Sequence, residues 1–511
     1  MNRPTYGDAY DSGRHEAETP AARRHGLDPG TLGPNEEMVL RFLYYSLPEP
    51  PVSAVASPSW ASDEGGGGVG VDRISVLPDD LLLNIISRLP ARDGAHTTAL
   101  SSRWRRLWRS APIVLIDTHL LQGGAAAEGR RPPRDGSVSR AVTSAVSAAL
   151  EAHQGPFPFV SLTCSFLQQA DHDVIGRWVH LLATKGVDEL VLVNRPWLVH
   201  WLFLPVELFV SCSSLRRLCL GTWLFPDTRH LPRGATTFLK LRDLVLGCSI
   251  IFVDFFDFVL AASPELEILT HVGSATASAR LASRSLRCAQ FCISAVDDVR
   301  KINLLRCVLV RIRIGHAPQL RVLGYLEPGV QTLRIGNTTI EVGTKPSPAT
   351  TVPSVQVLAL AVPFHIAIRV NITPSFLRCF PNVETLHVES KRFLETTGDI
   401  NDNPNFWNET GRIECIQSHL RTMIFHGFGG EDCEFAFLMF IAENARVLET
   451  MVILFEDGLR EAVGATALCS AKWTSGESKA RFVASRLSGI GIAWSLKAAA
   501  DFSFDDPFLC L

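Results

Sequence analysis

The chain of 511 residues holds many side chains able to make and break bonds, but not at the spacings such chemistry needs. Twelve cysteines are scattered from Cys164 to Cys510 with no C-x-x-C pair and no matching histidine cluster, so neither a zinc site nor a dithiol redox pair is indicated. Cys288 and Cys292 fall on one strand face and read as small core residues. There is no G-x-S-x-G elbow, no phosphate-binding G-x-x-x-x-G-K-[ST] loop and no H-E-x-x-H zinc helix. His172 and Asp173 are too close in the chain to mark a proton relay, and the glycine run 65–68 lacks the strand and helix that a dinucleotide site requires. No catalytic residue, cofactor or metal is therefore expected. Arg103, Arg105, Arg106 and Arg109 form the one tight basic cluster, which suits phosphate contact, a nuclear address or, more simply, a solvated helix face. A net charge of -3 supplies no general attraction to nucleic acid. What remains is the chemistry of apolar burial, which is the chemistry of binding.

The elements that would position such surface start in residues 72–110. Pro78 suits a helix start, and Asp79 and Asp80 place negative charge in the first turn, where the helix dipole favours it. Leu82, Ile85, Ile86 and Leu89 recur at helical spacing and make one apolar face, with Leu81 and Leu83 on its flanks. Pro90 stops this helix. Asp93 is expected to cap a short second helix through Leu100, and Ser101 or Ser102 a third that sets Trp104, Leu107 and Trp108 on one side and the arginines on the other. Three short helices in about 40 residues cannot bury so much apolar surface among themselves, so part of it is meant for a partner.

Leu77-Pro78, Leu89-Pro90 and the run Leu100-Ser101-Ser102-Arg103-Trp104 stand at the spacing of the F-box, which this segment resembles. The resemblance implies docking onto a Skp-type adaptor of a cullin-RING ubiquitin ligase. It assigns Leu77, Pro78, Leu81, Ile85, Leu89, Pro90, Leu100 and Trp104 to that contact or its border.

Upstream, residues 1–70 are rich in Gly, Pro, Ser and charge and are expected to be mostly disordered, with at most a helical turn or two around Met38, Val39, Phe42 and Leu43. The first ten residues lack the apolar core of a signal peptide, so cytoplasmic or nuclear residence is expected. The sequons at Asn337, Asn371 and Asn408 then read as chance matches. The longest apolar run, Leu244 to Ala262, contains Asp254 and Asp257 and divides better into a strand and a helix than into a membrane span.

Downstream, APIVLID at 111 reads as a strand, residues 118–136 as a loop, and Val138 to Leu150 as an amphipathic helix ending before GPFPF. A pattern of the form apolar-x-x-apolar-x-apolar follows, at 159, 187, 215, 241, 266 and 286, then at 320, 330, 355, 383 and 420. The first starts are separated by 28, 28, 26, 25 and 20 residues, in or beside the period of leucine-rich repeats. Helical stretches lie between several of them, and hairpin signals are absent, which implies parallel strands with right-handed crossovers in a solenoid arc. These repeats resemble the irregular leucine-rich repeats of plant F-box proteins. Residues 406–457 give a strand, a helix carrying Phe435, Leu438, Met439 and Ala442, and another strand. They resemble the FBD module of the same plant proteins, and the ending AWSLKAAADFSFDDPF resembles that group's tail.

The expected fold class is α/β. The expected domains are a tail (1–70), an F-box of three helices (71–117), a linker (118–136), an irregular repeat solenoid (137–405) and an FBD-like module with tail (406–511). The FBD segment reads as a cap on the last sheet edge. The resemblance implies a substrate-recognition subunit of a Skp-cullin-F-box ligase, with no nucleic acid or membrane partner. A non-degradative F-box scaffold is the alternative, and a nucleic-acid binder using the arginines is a third reading. Because strand side chains alternate, the third and fifth residues of each repeat should face away from the core and meet the unknown target protein. Arg217, Cys219, Asp243, Val245, Thr385 and His387 are the candidates.

Overall fold

The computed structural model describes residues 74–120, 137–195 save 166, 202–292 save 232–236, 253, 274, 275 and 277, 309–391, 406–456 and 479–485, together with 47, 48, 50–52, 474 and 508. The turn at Met38 to Leu43, most of the 1–70 tail and most of the 118–136 linker lie outside them. The chain divides into two compact units, one holding the described residues 74–226 with 237–241 and the other 242–508 with 227–231.

The first unit opens with α1 (Asp79–Ser87), α2 (Ala91–His96) and α3 (Ser102–Ser110). Pro78 and Pro90 each stand just before a helix, so Pro90 opens α2 as well as ending α1. Proline costs little there, because its missing N–H would have had no partner inside the helix. Asp93 consequently lies in the first turn of α2 and is not its cap. Ser101 caps α3, its hydroxyl accepting the Trp104 backbone N–H.

Four strands follow, β1 (Val114–Ile116), β2 (Phe159–Leu162), β3 (Glu189–Val193) and β4 (Arg217–Gly221), paired in that order and all parallel. Helices α4 (Ser137–Ala152) and α5 (His172–Thr184) connect the first three. The Trp178 indole on α5 donates to Ser147 on α4 at 2.9 Å, which satisfies its N–H inside the helical layer. Polar side chains close the strand ends. Buried Asp117 accepts the backbone N–H groups of Thr163 and Cys164 at 2.8 and 2.6 Å, and Asn194 both accepts from and donates to the Leu167 backbone. Burial outweighs these bonds and raises the Asp117 carboxyl to about 6.

The second unit holds β5 (Asp243–Gly247), α6 (Phe255–Ala262), β6 (Ile268–Val272), β7 (Ser278–Leu281), β8 (Cys288–Cys292), β9 (Arg311–Ile314), β10 (Val322–Leu326), β11 (Thr332–Ile335), β12 (Thr338–Thr339), β13 (Val357–Val362), α7 (Ala367–Arg378), β14 (Thr385–Ser390), β15 (Thr422–Phe428), α8 (Asp432–Asn444), β16 (Thr450–Glu456) and β17 (Lys479–Ser485). Its main ladder runs β5-β6-β8-β10-β13-β14-β15-β16-β17, with every pair parallel. The strand and helix expected within Leu244 to Ala262 are β5 and α6, and no described helix is long and apolar enough to cross a membrane. The FBD-like segment is not set apart from the repeats, since β15 pairs with β14 in register.

A second sheet of order β12-β11-β9-β7 departs from the expected pattern. The repeat at 330 does form a strand, β11, but only five residues separate it from β10, too few for a crossover back into the same parallel ladder. β11 joins the second sheet and turns through Gly336 and Asn337 into an antiparallel hairpin with β12, Gly336 taking a φ of 55°. This Gly-Asn turn is a hairpin signal where none was expected. β7 and β9, with Ser-Ala-Arg-Leu and Arg-Ile-Arg-Ile, alternate apolar and polar residues and so escape a template built on paired apolar positions.

Candidate protein-docking site

Helices α1 and α3 close a small core of Leu82, Ile86, Trp104, Leu107 and Ala111, against which Leu77, Leu83 and Trp108 pack. Arg103 fixes the turn that leads into α1. Its guanidinium donates to Asp79 at 2.8 Å, to the Leu77 carbonyl at 2.7 Å and to the Ser75 carbonyl at 2.5 Å. Arg103 is thus a structural tie and not part of a solvated face, whereas Arg105, Arg106 and Arg109 are exposed. The Trp104 indole donates to Ser75 at 3.2 Å.

Trp104 is only 3% exposed, so its assignment to a partner contact is corrected: the three-helix unit needs its ring to complete its own core. Leu77, Leu89 and Pro90 are half-buried, with Leu77 packed on that core. The outward set is different. Val76 is 78% exposed, Leu100 66%, Ile74 56%, Leu81 52% and Ile85 36%, and Pro78 is exposed as well. Leu81 and Ile85 are one turn apart on α1, on a face separate from Leu82 and Ile86, so the helix is apolar on two sides. Of the expected contact residues, Pro78, Leu81, Ile85 and Leu100 are displayed to solvent. Ile74 and Val76 were missed because they precede the helical periodicity.

The expected target-binding face is corrected further. Cys219, Asp243, Val245 and His387 are buried, and only Arg217 and Thr385 keep intermediate exposure. Side-chain alternation gives direction but not exposure, and both faces of these ladders are covered: β5, β6, β10 and β13 are buried at every position. Arg217 pairs with Glu189 on the adjacent strand at 2.9 Å. It lies in the first unit, as Cys219 does, whereas the other four candidates lie in the second.

On β14 the His387 ring lies 3.1 Å from His426 of β15, nitrogen to nitrogen, and burial together with that neighbour lowers His426 to about 3. Beyond it, Lys391 pairs with Glu327 at 2.6 Å in a buried contact, and Glu389 is raised to about 7, chiefly by burial, with Lys391 opposing and Glu327 reinforcing the rise. The charged residues just past the apolar hexad, Glu389 and Lys391, were the available sequence signal for this cluster. The ring of Phe508 packs on His387 and on Tyr325 of β10, with centroids 5.4 and 5.3 Å away. No group of metal-ligating side chains occurs among the described residues.

Three family models match the chain: the F-box domain over residues 74–115, the leucine-rich repeats of the FBD-associated F-box protein At5g56370 over 175–388, and FBD over 408–453. The F-box/LRR-repeat protein At3g26922 of Arabidopsis thaliana is 31% identical over 163 residues, 32% of this chain and 48% of its own length. The FBD-associated F-box protein At5g56370 is 33% identical over 31% of this chain and 34% of its own length. The putative FBD-associated F-box protein At1g05080 is 24% identical over 438 residues, 75% of this chain and 90% of its own length, both from the same plant. Against the first two relatives the chain spans about half and about a third of their length.

Proposed function

We propose that this chain, which belongs to the plant F-box/leucine-rich-repeat/FBD proteins, is the substrate-recognition subunit of a Skp-cullin-F-box ubiquitin ligase. The observation that carries the reading is the set of exposed apolar residues Ile74, Val76, Pro78, Leu81, Ile85 and Leu100, of which Leu81 and Ile85 share a helix face, left outside a three-helix core that is already filled. A helix face of this kind seats in a hydrophobic groove, where a few buried anchors hold most of the binding energy. The Skp-type adaptor is the partner, and through it a cullin-RING ligase supplies the chemistry. This chain contributes proximity, raising the effective concentration of a bound target near the activated ubiquitin. Cytoplasmic or nuclear work is part of the proposal, and seven buried cysteines and half-buried Cys433, packed as small core residues, are in keeping with a reducing compartment.

Co-purification of the full chain with a Skp-type adaptor tests the reading. Exposed Leu81 and Ile85 are the residues to change, because Leu77, packed on the core, would confuse docking with folding. Leu81→Ala with Ile85→Ala should weaken adaptor binding by about thirtyfold or more, since losing one buried anchor costs about 2 kcal/mol. A parent chain that binds no adaptor at micromolar concentration, or a double variant that binds as well as the parent, refutes the assignment.

A further inference from the structure

The smaller sheet of the second unit carries its charge in register. Along the order β12-β11-β9-β7, Thr339 stands opposite Arg334, Arg334 opposite Arg313, and Arg313 opposite Arg280. Adjacent strands lie about 4.8 Å apart, so three arginine side chains leave the sheet in a row about 10 Å long. Arg311, two residues before Arg313, falls on the same face, with Ser278 and Thr332 beside it. The intervening Ala279, Ile312 and Leu333 are buried on the opposite face, whereas Arg280 and Arg311 are exposed and Arg313 and Arg334 half-buried. Like charges directly opposite one another destabilise a sheet, and the chain does little to relieve them. Among the described residues the only ion pair of these four arginines joins Arg280 to Asp257 of α6, both exposed, at 3.8 Å. Arg313 donates to neutral acceptors of the β11–β12 turn, the Gly336 carbonyl and the Asn337 side chain, each at 3.3 Å. Nε of Arg334 is buried without a hydrogen-bond partner.

From this arrangement we propose that the arginine face of the β12-β11-β9-β7 sheet docks a phosphorylated segment of the target protein. That the partner is a ligase target rests on the proposed function, whereas the anionic chemistry rests on the face itself. A carboxylate has two oxygens and is saturated by one guanidinium fork. A phosphoryl group has three acceptor oxygens and close to two negative charges, enough for the forks of two neighbouring arginines. The strand residues of this face include no apolar or aromatic side chain, so charge-assisted hydrogen bonds must supply the affinity. The same composition argues against single-stranded nucleic acid, whose bases need aromatic rings to stack on, and the net charge of -3 adds no general attraction to it. A small free phosphate compound is better held in a concave site than on an open sheet face. An extended peptide with phosphates two residues apart presents them about 7 Å from each other, which matches the separation of Arg311 and Arg313 along β9.

The test uses the full chain and a fluorescein-labelled Gly-Ser peptide carrying two phosphoserines two residues apart, with binding read by anisotropy. The parent should bind this peptide at least about tenfold more tightly than the same peptide with serines or glutamates in their place, and added salt should weaken the contact. Arg313→Gln with Arg334→Gln should lower the affinity at least about tenfold. Because Arg313 also ties the hairpin turn, Arg280→Gln with Arg311→Gln is the second variant, on two exposed side chains, and should weaken binding with the circular dichroism unchanged. No binding of the phosphopeptide by the parent, or equal binding of the serine or glutamate peptide, overturns the proposal. So does tighter binding of an oligothymidine, or parental affinity in either folded double variant. Adaptor co-purification reports on the ligase reading separately: the arginine variants should leave it unchanged, as Leu81→Ala with Ile85→Ala should leave peptide binding unchanged. Failure of the adaptor contact alone leaves the anion-binding face standing, and failure of peptide binding alone leaves the adaptor contact standing.

Discussion

Glu389→Gln gives the most direct reading of the buried charge cluster. Glu389 lies on β14 beside the Lys391–Glu327 pair, and its carboxyl is raised from 4.5 to about 7, with burial the largest cause. Below 4.5 the side chain is protonated in both the folded and unfolded chain, and glutamine mimics it. Between 4.5 and about 7 the folded chain binds the proton more strongly than the unfolded chain, so stability falls as pH rises through this window. Above it the folded sheet must hold a carboxylate with one ammonium already paired. At about 1.4 kcal/mol for each pH unit, the interval corresponds to a ceiling of about 3 kcal/mol. Glu389→Gln should therefore match the parent at low pH and exceed it by up to about 3 kcal/mol at the top of the range. Urea denaturation followed by circular dichroism, run on both chains from about pH 5 to about pH 8, measures the difference. A difference that does not change across the window, or a variant that falls behind the parent as pH rises, refutes the reasoning.

Two further perturbations separate folding from docking. Trp104→Ala removes the largest ring of the three-helix core and should cost about 3–5 kcal/mol of that unit's stability, while Leu81→Ala on the exposed face stays within about 0.5 kcal/mol, both read by denaturant titration. His271 is buried between Phe256 and Phe291, at 5.7 and 6.1 Å, and burial lowers it to about 4. The unfolded chain gains a proton there as pH falls below 6.5 and the folded one does not until about 4, so acid erodes stability across that range. His271→Phe should remove this component, its advantage over the parent growing as pH falls from 6.5. A constant advantage would show that the imidazole is not the acid-sensitive group.

The apolar hexads were legible because a repeat announces itself through spacing, and each of the eleven became a strand that begins at or within the pattern. Helix starts were legible from Pro78 and Ser101, whose backbone chemistry acts locally, whereas Pro90 was read only as a stop. Exposure was not legible, for a physical reason. Alternation in a strand says which side a residue takes, but what covers that side comes from distant sequence, as Phe508 covers His387. The same limit misplaced Trp104, since a tryptophan at helical spacing fits an internal core and a partner groove equally well. Replacing Arg217, Asp243 and His387 together would therefore mix a half-exposed ion-pair partner with two buried residues, and its outcome would report folding before recognition.

The pattern of covered and open positions narrows how the repeats can recognise anything. At the fifth position Val191, Cys219, Val245, Thr270, His387, Ile424 and Val452 are buried and Arg334 is not; at the third, Asp243, Ile268, Val322 and Val357 are buried, whereas Glu189, Arg217, Thr385, Thr422 and Thr450 keep intermediate exposure. At the leading ends of these strands polar side chains already pair with one another, as Arg217 does with Glu189. Such exposed pairs contribute little energy each, about 0–1 kcal/mol, and would give a weak contact.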